Sequence, residues 1–149
     1  MSKLNDIRHG KKCELEILKE LHKTNKNIEQ YKWKFSLMDF FEKDNEDNII
    51  CEYELKSRNI NHNKYTSLPF GYNKFRHSRK QIKKGIKQVY IWNCLDGIYY
   101  WILYDKKEQK KNNEYYIENI QNKQRNEKAD KGIYIYREFI KKYNGIEKI

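Results

Sequence analysis

At 149 residues, 38% of them hydrophobic and 36% charged, the chain is one domain long, and its 15% aromatic content supplies burial that the low apolar share would otherwise lack. No apolar run reaches transmembrane length, nothing reads as a signal peptide, and three scattered cysteines (Cys13, Cys51, Cys94) without C-x-x-C spacing argue against a disulfide framework and a zinc site; a reducing intracellular compartment, cytoplasm or nucleus, is expected, with a viral or phage origin left open. The net charge is +11, distributed unevenly: residues 1–56 carry eleven bases and twelve acids (−1), residues 57–104 nine bases against Asp96 alone (+8), and the rest twelve against eight (+4), a field that favours DNA as partner and no membrane.

Residues 5–23 predict a helix in which Glu14, Ile17, Leu18 and Leu21 share the i, i+3, i+4, i+7 stripe, so Glu14 is a carboxylate on an apolar face. A polar connection, 24–32, leads to a strand: Trp33, Phe35 and Leu37 alternate with Lys34, Ser36 and Met38 as in a half-buried strand that runs into Asp39. Residues 42–48 (EKDNEDN) are turn-forming. The second strand, Ile49–Lys56, puts Cys51, Tyr53 and Leu55 on one face and Ile50, Glu52, Glu54 and Lys56 on the other. A solvated face with a Glu54–Lys56 ion pair explains that pattern blandly. A hairpin, however, would bring Asp39 beside Glu54, and two carboxylates within ~4–6 Å repel unless a cation lies between them. A hard ion such as Mg²⁺, completed by water and phosphate, resolves the conflict.

Asp39…Glu54-Leu55-Lys56 resembles the PD-(D/E)xK nuclease signature of restriction-endonuclease-like and resolvase-like enzymes, with Met38 in place of its variable proline. The resemblance implies that Asp39, Glu54 and the Leu55 carbonyl bind Mg²⁺, for which Mn²⁺ would substitute, and that Lys56 positions the attacking water. Many of these enzymes carry a metal-facing glutamate four residues after a glycine on the first helix, and Gly10…Glu14 matches, which would make Glu14 a further ligand. The implied fold is α/β, a restriction-endonuclease-like core with a central mixed sheet flanked by helices, over about residues 8–104 with a C-terminal extension at 105–149. The implied activity is DNA phosphodiester hydrolysis, in a monomer or homodimer. The alternatives are a non-cleaving DNA-binding protein on the same fold and an RNA nuclease.

After Lys56 an irregular loop, 57–73, contains the only proline (Pro69) and no acid; its Arg58, Lys64, Tyr72 and Asn73 are candidate DNA contacts. Asn73–Lys84 predicts a second helix, N-capped by Asn73 and ended by Gly85. Its Lys74, Arg76, Arg79, Lys80, Lys83 and Lys84 repel one another with no acid among them, which favours phosphate binding. Two strands, Gln88–Leu95 and Ile98–Tyr104, flank Asp96-Gly97, a strong hairpin signal. Residues 105–132 are polar with a short strand near Tyr115–Ile117, followed by a strand at Ile133–Tyr136 and a short helix at Arg137–Tyr143.

Overall fold

A run that alternates buried faces needs cover on both sides, and Gln88–Trp92 is buried at every position. That run belongs to β5 (Lys87–Cys94), second of the two innermost strands of a six-stranded sheet in the computed structural model, which describes residues 3–33, 35–120 and 130–149. The sheet runs β1 (Ile28–Gln30), β2 (Phe40–Lys43), β3 (Ile49–Ser57), β5, β6 (Gly97–Leu103), β9 (Lys141–Lys142). All its pairs are antiparallel except β3 with β5, where Glu54 lies opposite Tyr90 and Lys56 opposite Trp92. A parallel pair demands a crossover. Here it consists of β4 (Ser67–Gly71) and α2 (Tyr72–Lys83). The fold is therefore mixed α/β with a mixed central sheet.

One face of the sheet is covered by α1 (Lys3–His22), whose Ile17 and Leu21 pack on Ile28, Phe40, Cys51, Tyr53, Val89 and Ile91. The other face buries Tyr90, Trp92, Trp101 and Leu103 under Phe75 of α2 and under a second, three-stranded antiparallel sheet ordered β4, β8 (Asp130–Tyr136), β7 (Tyr115–Ile120). Each fully buried aromatic here contributes on the order of 2–3 kcal/mol. The C-terminal stretch is not an appendage: β8 closes the second sheet on β4, β9 extends the first, and Tyr143 packs against α1 and donates to the Glu20 carbonyl at 2.8 Å. A short helix, α3 (Lys106–Lys111), capped by Asp105, precedes β7. Among the described residues no helix is long and apolar enough to cross a membrane.

Several local expectations are corrected. Among the described residues the Trp33–Met38 strand does not form: Trp33, Phe35 and Leu37 are exposed, and pairing with β3 begins only at Phe40, while a short strand, β1, occupies part of the predicted 24–32 connection. The cap of α2 is Gly71, without a side-chain hydrogen bond, rather than Asn73. Its other end closes as predicted: Gly85 takes φ +82°, with Gly85 N–H donating to Ile82 O and Ile86 N–H to Gln81 O. The hairpin turn is Leu95-Asp96, with Gly97 already paired to Cys94. Arg137–Tyr143 is one 3₁₀ turn (Arg137–Phe139) followed by β9. Part of the predicted polar tract, 121–129, lies outside the described residues, as does Lys34.

Candidate active site

The β2–β3 register that pairs Phe40 with Tyr53 carries the chain one residue further to set Asp39 beside Glu54. Asp39 N–H donates to the Tyr53 carbonyl at 3.0 Å, and its Oδ2 accepts from Leu55 N–H at 2.8 Å, so the carboxylate is fixed against the backbone that bears Glu54 and Lys56. Glu14, from α1, reaches the same place and accepts a 2.8 Å hydrogen bond from Gln30 Nε2 on β1. Glu14 and Asp39 line one open cleft of about 610 Å³.

The electrostatics of this cluster are unfavourable without a counter-ion. Burial, and then the Asp39 charge, push the Glu54 carboxyl up to about 9. Glu14 is likewise raised, by burial first and by Asp39 second. Asp39 thus lies electrically between two other acids. Glu54 Oε1 has Lys74 Nζ at 3.5 Å, but its Oε2 is buried on the Asp39 side with no hydrogen-bond donor among the described residues. A buried polar oxygen left unmatched costs about 1–3 kcal/mol. Lys56, half-buried, has its pKa lowered by burial and then by the adjacent Arg58. The bland Glu54–Lys56 ion pair is not formed: among the described residues the cation paired with Glu54 is Lys74.

The donor types here suit a hard divalent ion, with Asp39 and Glu54 as carboxylates, the Leu55 carbonyl as a neutral oxygen, and Glu14 at the rim. Among the described residues no group of three or more His, Cys, Asp or Glu forms a ready-made cage. Mg²⁺ needs none, since it is commonly held through one or two carboxylates and keeps several waters.

The predicted DNA-contact residues divide. Arg58, Tyr72, Asn73 and Arg76 line a second cleft of about 840 Å³ together with Lys56. Arg58 is held there because its loop is pinned to the β5–β6 hairpin: Arg58 N–H donates to Asn93 O at 2.9 Å, and Asp96 accepts from both the backbone and the ring of His62. Those His62 bonds outweigh the opposing effect of desolvation and draw the Asp96 carboxyl down to about 2. Lys74 turns to Glu54 and to the Leu37 carbonyl. Arg79 packs over the Phe75 ring at 5.6 Å, and Lys80, Lys83 and Lys84 are exposed further along the helix. Lys64 is exposed, its Nζ 5.5 Å from the Tyr65 ring.

Glu52 was expected on a solvated face, and it is 3% exposed. It accepts from Tyr31 Oη (2.6 Å), His77 Nε2 (3.0 Å), Gln81 Nε2 (2.8 Å) and Gln88 Nε2 (3.0 Å). Desolvation opposes its charge, but these donors prevail and lower its pKa. The signal was present in α2: Lys74, His77, Ser78 and Gln81 fall at i, i+3, i+4, i+7, a polar stripe that meets Glu54, Glu52 and Gln88. In comparisons with known proteins, no family matches this chain and no curated protein matches it significantly.

Proposed function

We propose that the protein is a Mg²⁺-dependent nuclease that hydrolyses DNA phosphodiester bonds. The observation that carries this reading is the buried Oε2 of Glu54, beside Asp39 and without a hydrogen-bond donor among the described residues, with Lys56 two residues on along the same strand face. A purely structural site has little reason to gather three acids, two of them raised by burial and by Asp39, with Lys74 the cation paired to Glu54 among the described residues. The placement of the β3–α2–β5 crossover behind the acidic hairpin agrees with a restriction-endonuclease-like core, and the strongly basic 57–104 region agrees with a nucleic-acid substrate.

Asp39, Glu54 and the Leu55 carbonyl would hold the ion, with Glu14 at the rim. When bound, Mg²⁺ polarises a phosphoryl oxygen and lowers the pKa of a water. Lys56 hydrogen-bonds and orients the attacking water, and its charge offsets the negative charge that grows on the pentacovalent transition state. Its lowered pKa eases exchange of a proton with that water. The water oxygen bonds to phosphorus, the P–O3′ bond breaks and the proton ends on the departing oxygen. The products are a 5′-phosphate and a 3′-hydroxyl.

The test uses end-labelled DNA forms with purified protein in Mg²⁺ and in EDTA. Cleavage should require the metal, and Asp39→Ala or Lys56→Ala should lower its rate on the order of 10²-fold or more. Wild-type rates from Lys56→Ala would refute the site. Tight binding by the wild type with no cleavage in Mg²⁺ or Mn²⁺ would favour the non-cleaving DNA-binding alternative.

A further inference from the structure

Two clefts flank the start and middle of β3, one lined by Glu14 and Asp39 and the other by Lys56, and each has a chemistry that nucleotides fit. The larger has Lys56 and Arg58 toward β3, Tyr72 and Arg76 from the first turns of α2, and Lys131 and Tyr134 from β8. None of its four cations has an ion-pair partner among the described residues. The smaller cleft ends on Asp39 and is bordered by Trp33, which is 67% exposed and meets the equally exposed Phe35 edge-on at 5.5 Å. Large aromatic side chains left in water beside a catalytic acid are unfavourable for the free protein, and a nucleobase face is a natural cover for them.

We propose that these clefts form one track for single-stranded DNA, so that the substrate carries unpaired nucleotides at the cut. Arg58, Arg76 and Lys131 hold backbone phosphates on the Lys56 side, and unstacked bases lie on Trp33 on the Asp39 side. A duplex keeps its base faces inside the stack, where Trp33 cannot reach them. Lys56 is itself half-buried, so a strand must enter the cleft to bring a phosphate to it. The proposal rests on the nuclease reading for the position of the cut, while binding of the strand stands on its own measurement.

The experiment measures fluorescence anisotropy of the full chain in EDTA with one sequence labelled as a single strand, a blunt duplex and a duplex with splayed arms. The single strand and the splayed arms should bind at least about tenfold tighter than the blunt duplex. Trp33→Ala, a substitution of an exposed residue, should weaken the single strand by about 5- to 150-fold, the range of one base stack, and leave the blunt duplex within about twofold. Arg76→Ala should weaken every form and make the salt dependence shallower. Equal affinity for single strand and blunt duplex overturns the proposal, as does a Trp33→Ala variant that binds the single strand like the wild type. The same samples in Mg²⁺ separate the two ideas. A wild type that selects single strands without cutting them refutes the nuclease reading and keeps the track, whereas one that cuts blunt duplex as well as single strand refutes the track and keeps the nuclease.

Discussion

Removing the charge of Glu54 should stabilise the metal-free protein while abolishing cleavage. The folded state holds this carboxyl near 9, against an ordinary 4.5, chiefly through burial and then through Asp39. A raised folded pKa means that the group's contribution to stability is complete below pH 4.5 and is lost as pH rises toward 9. Each pH unit in that window costs about 1.4 kcal/mol, so at pH 7 the wild type forfeits on the order of 3 kcal/mol, an upper figure because water entry softens it. Glu54→Gln keeps the shape, removes the titration and should recover most of that. For a chain of this size the melting temperature in EDTA should rise by roughly 5–10 °C at pH 7. The gain should shrink to about a quarter of that at pH 5 and grow at pH 8. Calorimetry or circular dichroism across pH 5–8 in EDTA checks it, and Mg²⁺ should stabilise the wild type but not the variant. A fall in melting temperature, or a gain that does not change with pH, would refute the account of Glu54 as an acid strained by its neighbours.

Glu14→Gln should raise the Mg²⁺ concentration for half-maximal cleavage with little change in melting temperature, read by metal titration; an unchanged metal requirement would remove Glu14 from the site. Glu52→Ala strips the acceptor from Tyr31, His77, Gln81 and Gln88 and should destabilise by about 3 kcal/mol or more, seen as a lower urea midpoint. Arg76→Ala should reduce the slope of log affinity against log salt by roughly 0.7–0.9, whereas Lys83→Ala with Lys84→Ala, at the far end of α2 and away from the cleft, should change it far less.

The predicted site was legible in those parts where neighbours in sequence decide the conformation. The period-2 alternation of Ile49–Lys56 put Glu54 and Lys56 on one face, and β3 keeps that assignment, with Cys51, Tyr53 and Leu55 turned to α1. Gly85 ended α2 because only a residue at ease with positive φ closes such a helix. Cys51 and Cys94 were read as core residues and are buried.

Tertiary structure decided the rest. The alternation of Trp33–Met38 is as strand-like as that of β3, yet among the described residues no strand pairs with it, and a strand needs a partner for its backbone hydrogen bonds. β4, with Pro69 in it, exists because β8 supplies its ladder from more than sixty residues away, which no local pattern encodes. Glu52 and Glu54 are chemically alike and two positions apart, but α2 and β5 surround the first with donors and leave an oxygen of the second bare. Periodicity is a property of consecutive residues, whereas burial and its partners belong to elements that meet only once the sheet has closed.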